Sequence, residues 1–280
     1  MRNLTELFNL CNNRRDYTTI TPENKKYEVD YKFIEEDDTL YIFFEPSDGN
    51  TDWRVNFSYW RKPYKDMAIS YRVHGGFLES FKLIDNIIGA KIREVADPEM
   101  DEDGHWNWKF KKVVIVGYSH GGALAALCHE YVWYNRVDLR EGGVVGISFD
   151  GPRVYGGLWV PKALKQRWEH FYVFRNHDDI VTHLPPVIFF FRHVGNKIRI
   201  GAGKNPGWVG AHYPNKILES LEQYQKEGAP EFREKIVSIA EGIGQAVETV
   251  VEALDNDGDR DLDLKGVCEK IVSKVKKGDD

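Results

Sequence analysis

The stretch "VVIVGYSHG" (Val113–Gly121) ends a run of β-branched residues on a serine flanked by glycines, and the small residues of Gly122–Ala126 follow it. An apolar strand that bends through G-x-S-x-G into a helix holds the serine hydroxyl on a tight turn above a sheet, where it can attack a carbonyl carbon. A serine hydroxyl is a weak nucleophile near neutrality. The same chemistry therefore needs a histidine to take its proton and a carboxylate to orient that histidine. A bare G-x-S-x-G arises by accident about 0.1 times in a chain of this length, so the flanks carry the reading: Val113, Val114, Ile115 and Val116 before the turn, and helix-compatible small residues after it.

For the carboxylate, "FYVFRNHDDIVTHLPP" (Phe171–Pro186) places Asp178 and Asp179 just past the C-terminal end of an apolar strand, the edge at which open α/β sheets bind ligands. The pleat aims one of the two inward, and the pattern leaves both open. Downstream stand His183, His193 and His212. His193 lies in "FFFRHVGNKIRI", read as two short strands about a Gly195-Asn196 turn, where a histidine is expected to be structural. His212 lies in the Gly- and Pro-rich loop "GAGKNPGWVGAHYPNKI" ahead of a helix and is the preferred base. His120 adjoins Ser119, and its useful contribution would be its backbone N–H.

These groups need a sheet edge to converge on. Strands are expected at Thr39–Phe44, Asp66–Val73, Val113–Gly117, Gly143–Asp150 and His170–Arg175, with helices over Gly76–Glu94 and Gly122–Asn135. The apolar run "LPPVIFFF" (Leu184–Phe191) reads as a buried strand. The alternation predicts an α/β protein with the α/β-hydrolase fold, a mostly parallel central sheet flanked by helices. The expected division is a hydrolase domain over 1–228 and a C-terminal helical extension over 229–280, packed on it or appended to it. Phe232, Ile236, Ile239, Ile243, Val247, Val250 and Leu254 give that extension an apolar face at helical spacing. After it, Asp255, Asp257, Asp259, Asp261 and Asp263 form an acidic turn. Its register departs from a calcium-binding EF-hand, so a solvated loop is the expected reading, and no metal or other cofactor is assigned.

The net charge of −6 and the scattered Lys and Arg residues argue against a nucleic-acid partner. No run approaches eighteen apolar residues, so no transmembrane segment is expected. "MRNLTELFNLCNNRRDYTTI" carries no leader pattern, and Cys11, Cys128 and Cys268 are odd in number and widely spaced, as for reduced thiols. A cytoplasmic location is the expectation, with release by a non-classical route left open.

Several ordered motifs between Thr39 and Tyr213 resemble the class 3 lipases. "YIFFEPSDGNTDWRVNF" resembles a strand ending in F-R-G-[ST] followed by D-W-x-x-N, with Ser47, Asp52, Trp53 and Asn56 in the matching places. "RVHGGF" resembles V-H-x-G-F, "VVIVGYSHGGAL" resembles V-x-x-x-G-H-S-L-G-G-A-L, and "ISFDGPRV" resembles F-G-x-P-R-V. "DIVTHLPP" resembles D-I-V-P-x-L-P-P, and "RHVGNKIRI" resembles H-V-G-x-x-x-x-I. The resemblance implies a serine carboxylester hydrolase acting on lipid or other acyl esters. Ser119 would be the nucleophile, His212 the base and Asp179, rather than Asp178, the orienting carboxylate. It implies an oxyanion hole at Ser47 and His120, and a structural role for His193. It also implies a lid over Asp48–Phe57, reaching toward Trp60, with Trp53 and Phe57 meeting acyl chains or making transient contact with a lipid interface. The aromatic cluster of Trp53, Phe57, Tyr59, Trp60 and Tyr64 fits a buried loop equally well.

The chain departs from the pattern at Glu45 and Pro46, where the family has Arg and Gly, and at Tyr118 and His120, where it has His and Leu. Pro46 lacks an N–H and restricts φ, so a different turn is expected in the oxyanion loop. Two alternatives to hydrolysis remain on the residues: acyl transfer by the same triad, and a catalytically silent lipid- or protein-binding module on the same fold.

Overall fold

Strands that are apolar at nearly every position are stable only where both faces of a sheet are covered. The computed structural model describes residues 2–22, 28–45, 60–64, 71–94, 99–100, 106–107 and 110–227. Helix α1 (Leu4–Asn12) precedes strands β1 (Thr18–Ile20), β2 (Val29–Glu36) and β3 (Thr39–Phe44). Strands β4 (Arg61–Tyr64) and β5 (Tyr71–His74) lead into helices α2 (Gly75–Lys82) and α3 (Asp85–Glu94). A short pair, β6 (Glu99–Met100) and β7 (Trp106–Asn107), is followed by β8 (Lys112–Tyr118), α4 (His120–Asn135) and β9 (Val144–Phe149). Then come β10 (Tyr155–Gly156), α5 (Lys162–Arg167), β11 (Phe171–Asn176), β12 (Phe191–Arg192), β13 (Asn196–Ile200) and α6 (Pro214–Glu227).

The central sheet has seven strands in the order β1-β2-β3-β8-β9-β11-β13. From β3 to β13 neighbours run parallel, and β1 and β2 join antiparallel at one edge. Alternation along β3 shows how both faces are used. Leu40, Ile42 and Phe44 meet Phe77, Phe81, Ile84 and Leu124 on one side. Tyr41 and Phe43 meet Leu7, Phe8, Ile217 and Leu221 on the other. The parallel strands all end at one edge, and Ser119, Asp150 and Asp179 follow β8, β9 and β11 there. A second, four-stranded antiparallel sheet, β12-β10-β5-β4, stands beside it.

Four expectations change. The helix expected over Gly76–Glu94 is two helices, because the N–H groups of Leu83 and Ile84 bond three residues back and tighten the chain at that point, which leaves Phe81 and Ile84 both buried. Of the strand expected over Asp66–Val73, Tyr71–His74 is strand and 65–70 lie outside the described residues. Leu184–Phe191 is not a buried strand. Val187–Phe189 forms a 3₁₀ turn and Ile188 is 76% exposed. Pro185 and Pro186 have no N–H for a ladder, and the Arg153 guanidinium occupies the carbonyls of His183 and Pro185. The expected hairpin about Gly195 is also absent: β12 pairs with β10 in the small sheet, while β13 pairs with β11 in the large one. Gly195, at φ +73°, crosses between them with its missing Cβ only 2.2 Å from the Phe171 carbonyl oxygen, a position that only glycine can fill.

The expected helical extension over 229–280, with its acidic turn, lies outside the described residues. No helix among the described residues is long and apolar enough to cross a membrane.

Candidate active site

The turn at Ser119 is built by close approach of backbones. A Cβ on Gly117 would sit 2.0 Å from the Gly121 carbonyl oxygen, and one on Gly121 would sit 2.3 Å from the Phe44 carbonyl oxygen. Both glycines are therefore steric requirements, and they let α4 start directly against β3 and β8. Ser119 itself takes φ 53°, ψ −123°, a conformation unfavourable for any residue with a side chain. Its N–H donates to the Phe149 carbonyl at 2.9 Å, and its own carbonyl accepts from Gly122 N–H at 2.9 Å. The hydroxyl makes no bond to the helix it precedes and points elsewhere.

It points to His212. The Nε2 atom of His212 lies 2.9 Å from Ser119 Oγ, and Nδ1 lies 2.5 Å from Asp179 Oδ2. An ionised carboxylate accepts only, so Nδ1 carries the ring proton and Nε2 is left as the acceptor for the serine hydroxyl. Asp179 is fully buried just after β11, and its Oδ1 accepts from Val181 N–H at 2.9 Å. Asp178, one residue earlier, turns the other way, to Arg199 at 2.5 Å and Asn205 at 2.6 Å. The structure thus brings Ser119, His212 and Asp179 together and separates Asp178 from them.

Four other histidines, His74, His120, His183 and His193, are disfavoured as cations. Burial lowers His120 and His74 to about 4, His74 also feeling the nearby His120. Burial, then the charges of Arg175 and Arg153, lowers His183 to about 4 and pushes His193 well down. A general base is most effective with a pKa near the working pH, so these rings are poor candidates. His193 Nε2 meets the Thr182 carbonyl at 2.7 Å, a structural contact that pins the turn following Asp179. His120 is the first residue of α4, where backbone N–H groups have no intrahelical acceptor and suit an anion. Ser47, Trp53 and Phe57, with the whole segment Asp48–Phe57, lie outside the described residues. Of the expected aromatic cluster, Tyr64 is fully buried with its ring 5.7 Å from that of Tyr71, and so belongs to the core.

Three further residues adjoin this site: Tyr118, noted from sequence only as a departure from the family pattern, and Asn176 and Asp150, which were not singled out. The Tyr118 hydroxyl donates to the His212 carbonyl, and the two rings lie 5.1 Å apart. Asn176, fully buried at the end of β11, donates from Nδ2 to the Ala211 carbonyl at 2.8 Å. Together they fasten the loop that carries His212. Asp150, at the end of β9, is the third. Its position one residue past a parallel strand end, like that of Ser119 and close to that of Asp179 three residues past β11, was the available signal. Asp150, Asp179 and His212 each present one donor atom within 4.8 Å of the others. The His212–Asp179 bond already engages two of these atoms, which suits the trio to sharing protons more than to holding a cation.

The family model for lipase (class 3) matches residues 41–189. The lipase of Rhizomucor miehei is 27% identical over 163 residues, 57% of this chain and 41% of that protein. Secreted mono- and diacylglycerol lipase 1 of Fusarium solani is 28% identical over 156 residues, 54% of this chain and 41% of that one. The matches thus span about two fifths of the length of these relatives. Among solved structures, a triacylglycerol lipase described as having a serine protease triad as its catalytic centre superposes with a TM-score of 0.52 at 23% identity, covering 66% of this chain and 67% of that one. The fold is therefore the α/β-hydrolase fold of these lipases.

The secreted relative overturns the cytoplasmic location expected above. The cysteine argument also fails physically. Cys11 and Cys128 are free and fully buried, and burial pushes the Cys11 thiol up to about 12. Thiols so enclosed resist oxidation in any compartment, so their number carries no information about it.

Proposed function

We propose that this chain, which belongs to the class 3 lipase family, is a serine carboxylester hydrolase that cleaves acyl esters of lipids through an acyl-enzyme. The observation that carries the reading is the unbroken hydrogen-bond chain Ser119–His212–Asp179, with the serine on a strained strand-to-helix turn. Ser119 Oγ attacks the ester carbonyl while His212 Nε2 takes its proton. Asp179 keeps Nδ1 protonated and stabilises the imidazolium that forms. The imidazolium then protonates the departing alcohol, and water, activated by the same ring, releases the acid and restores the serine.

The tetrahedral oxyanion is received by the His120 N–H at the start of α4, with Ser47 as second donor on the strength of the family motif. One such donor contributes about 3 kcal/mol of transition-state stabilisation. Contact with a lipid surface is supported by apolar side chains near the site. Trp208 and Val209 precede His212 at 66% and 63% exposure, and Tyr213 follows it. The Trp208 carbonyl accepts from Ile180 N–H, so this loop runs along the turn after Asp179. On the strength of the family motif, Trp53 and Phe57 are the side chains proposed to meet acyl chains.

The test is labelling with a fluorophosphonate, followed by turnover of p-nitrophenyl esters of increasing chain length with and without lipid vesicles. The label is expected on Ser119 and nowhere else. Ser119→Ala keeps the Cβ and adds no strain, so the variant is expected to fold normally and to lose about 10⁴-fold or more in kcat. Retained turnover in that variant would refute the assignment.

A further inference from the structure

Asp150 is a second carboxyl group buried beside the first. It is 1% exposed and Asp179 is 0% exposed, and a carboxylate oxygen of each lies within 4.8 Å of the other. Asp150 also sits at φ +46°, the left-handed region, on the position where F-G-x-P-R-V has its glycine. A side chain placed at such a cost, with its carboxyl in the interior, calls for a compensating role.

Two ionised carboxylates cannot share a dry site, so one of them keeps a proton. The hydrogen bonds decide which. Asp179 accepts from Val181 N–H and from His212 Nδ1–H, both of which stabilise its charge. Asp150 accepts only from Asn176 N–H, at 2.6 Å through Oδ1, and its buried Oδ2 finds no donor. That oxygen is satisfied if it carries the proton and donates it to Asp179. The other groups facing Asp150 are the Tyr118 phenol on β8, the Arg175 guanidinium on β11 and the His212 ring on the turn before α6. Arg175 attracts the ionised form through space, but burial first and the Asp179 charge second outweigh it and hold the Asp150 carboxyl well above the usual range.

We propose that Asp150 is a positioning residue of the hydrolytic site: as a neutral acid it donates a hydrogen bond to the Asp179 carboxylate and fixes that carboxylate toward His212. The role rests on the triad reading above. As pH rises until Asp150 ionises, a second negative charge appears beside the Asp179–His212 pair, the donated bond is lost, and kcat falls on an alkaline limb that belongs to Asp150.

The experiment compares wild type with Asp150→Asn and Asp150→Gly. Asparagine tolerates the left-handed backbone, keeps Oδ1 for Asn176 N–H and offers its amide N–H to Asp179. Glycine keeps the backbone and removes the donor. Asp150→Asn is expected to hold kcat within about threefold and to erase the alkaline limb. Asp150→Gly is expected to lose about tenfold to a hundredfold in kcat with KM unchanged, the range for a hydrogen bond to a charged group. Difference infrared spectroscopy in the Ser119→Ala background should show a protonated-carboxyl stretch at neutral pH that Asp150→Asn abolishes.

No such band, or equal kcat and pH profiles in the two variants, would overturn the proposal. So would zinc inhibition that Asp150→Asn relieves, which would make the trio a cation site. The infrared band does not depend on turnover. If Ser119→Ala left activity intact, the triad reading would fail while the band would still decide whether Asp150 carries the proton.

Discussion

Replacing Asp179 by asparagine should cut kcat/KM for a p-nitrophenyl ester about 10⁴-fold while leaving the protein folded. The geometry fixes how the new amide must lie. Asp179 Oδ1 accepts from Val181 N–H at 2.9 Å, and only the amide oxygen of asparagine can do the same. The amide NH₂ is therefore forced toward His212 Nδ1, 2.5 Å from the replaced Oδ2. Facing a donor, the ring adopts the other tautomer, with Nδ1 accepting and Nε2 carrying the proton. Nε2 then presents a hydrogen to Ser119 Oγ and can no longer receive one. Four powers of ten, the scale known for this swap in a serine protease triad, correspond to about 5 kcal/mol of lost transition-state stabilisation. The shape is conserved and Val181 keeps its bond, so Tm should move by only a few degrees. Asp178→Asn is the control: that side chain is 38% exposed and pairs with Arg199, and its loss should change kcat/KM by no more than about threefold. A loss below tenfold in Asp179→Asn, or an equal loss in Asp178→Asn, would refute the tautomer argument.

Tyr118→Phe removes the bond to the His212 carbonyl but keeps the ring, and should lower kcat about fivefold with KM unchanged, as read by steady-state kinetics. Gly121→Ala drives a Cβ to 2.3 Å from the Phe44 carbonyl oxygen. It should destabilise the fold by about 3 kcal/mol or more in urea unfolding, and native-like stability would mean that α4 does not pack so closely. Arg167→Leu strips the counter-charge from Glu130, which is fully buried, and should destabilise by about 3–5 kcal/mol. Burial already holds the Glu130 carboxyl above its ordinary value while Arg167 pulls it down. The unfolded chain therefore releases that proton first, and stability is lost as pH rises through the interval between the two values. Removing Arg167 widens the interval, so the deficit of the variant should grow from mildly acidic to mildly alkaline pH.

The central strands and the turn at Ser119 were legible in the sequence because they depend on neighbours in the chain. An apolar run at Val113–Val116 needs cover on both faces wherever it sits. Gly117 and Gly121 relieve contacts within a few residues of Ser119, apart from the approach of Phe44. The bounds of β3, β8, β9 and β11 fall within a residue or two of expectation for the same reason. Leu184–Phe191 was misread because hydrophobicity alone does not make a strand: two prolines and a distant arginine, Arg153, took its hydrogen-bonding groups.

Only the tertiary structure decided which side chains meet. Asp178 and Asp179 are equivalent in periodicity, and only the family resemblance pointed to Asp179; the physical reason is Arg199 on the adjacent strand β13, which holds Asp178 away. Asn176 and Tyr118 act on the His212 loop across 35 and 94 residues of sequence. Asp150 comes beside Asp179 because β9 and β11 are parallel neighbours whose ends coincide at one edge. Periodicity and local sterics determine the kind of element a segment forms. The order and register of strands determine which of their ends share a few cubic ångströms of dry space, and there a proton's position becomes a matter of chemistry.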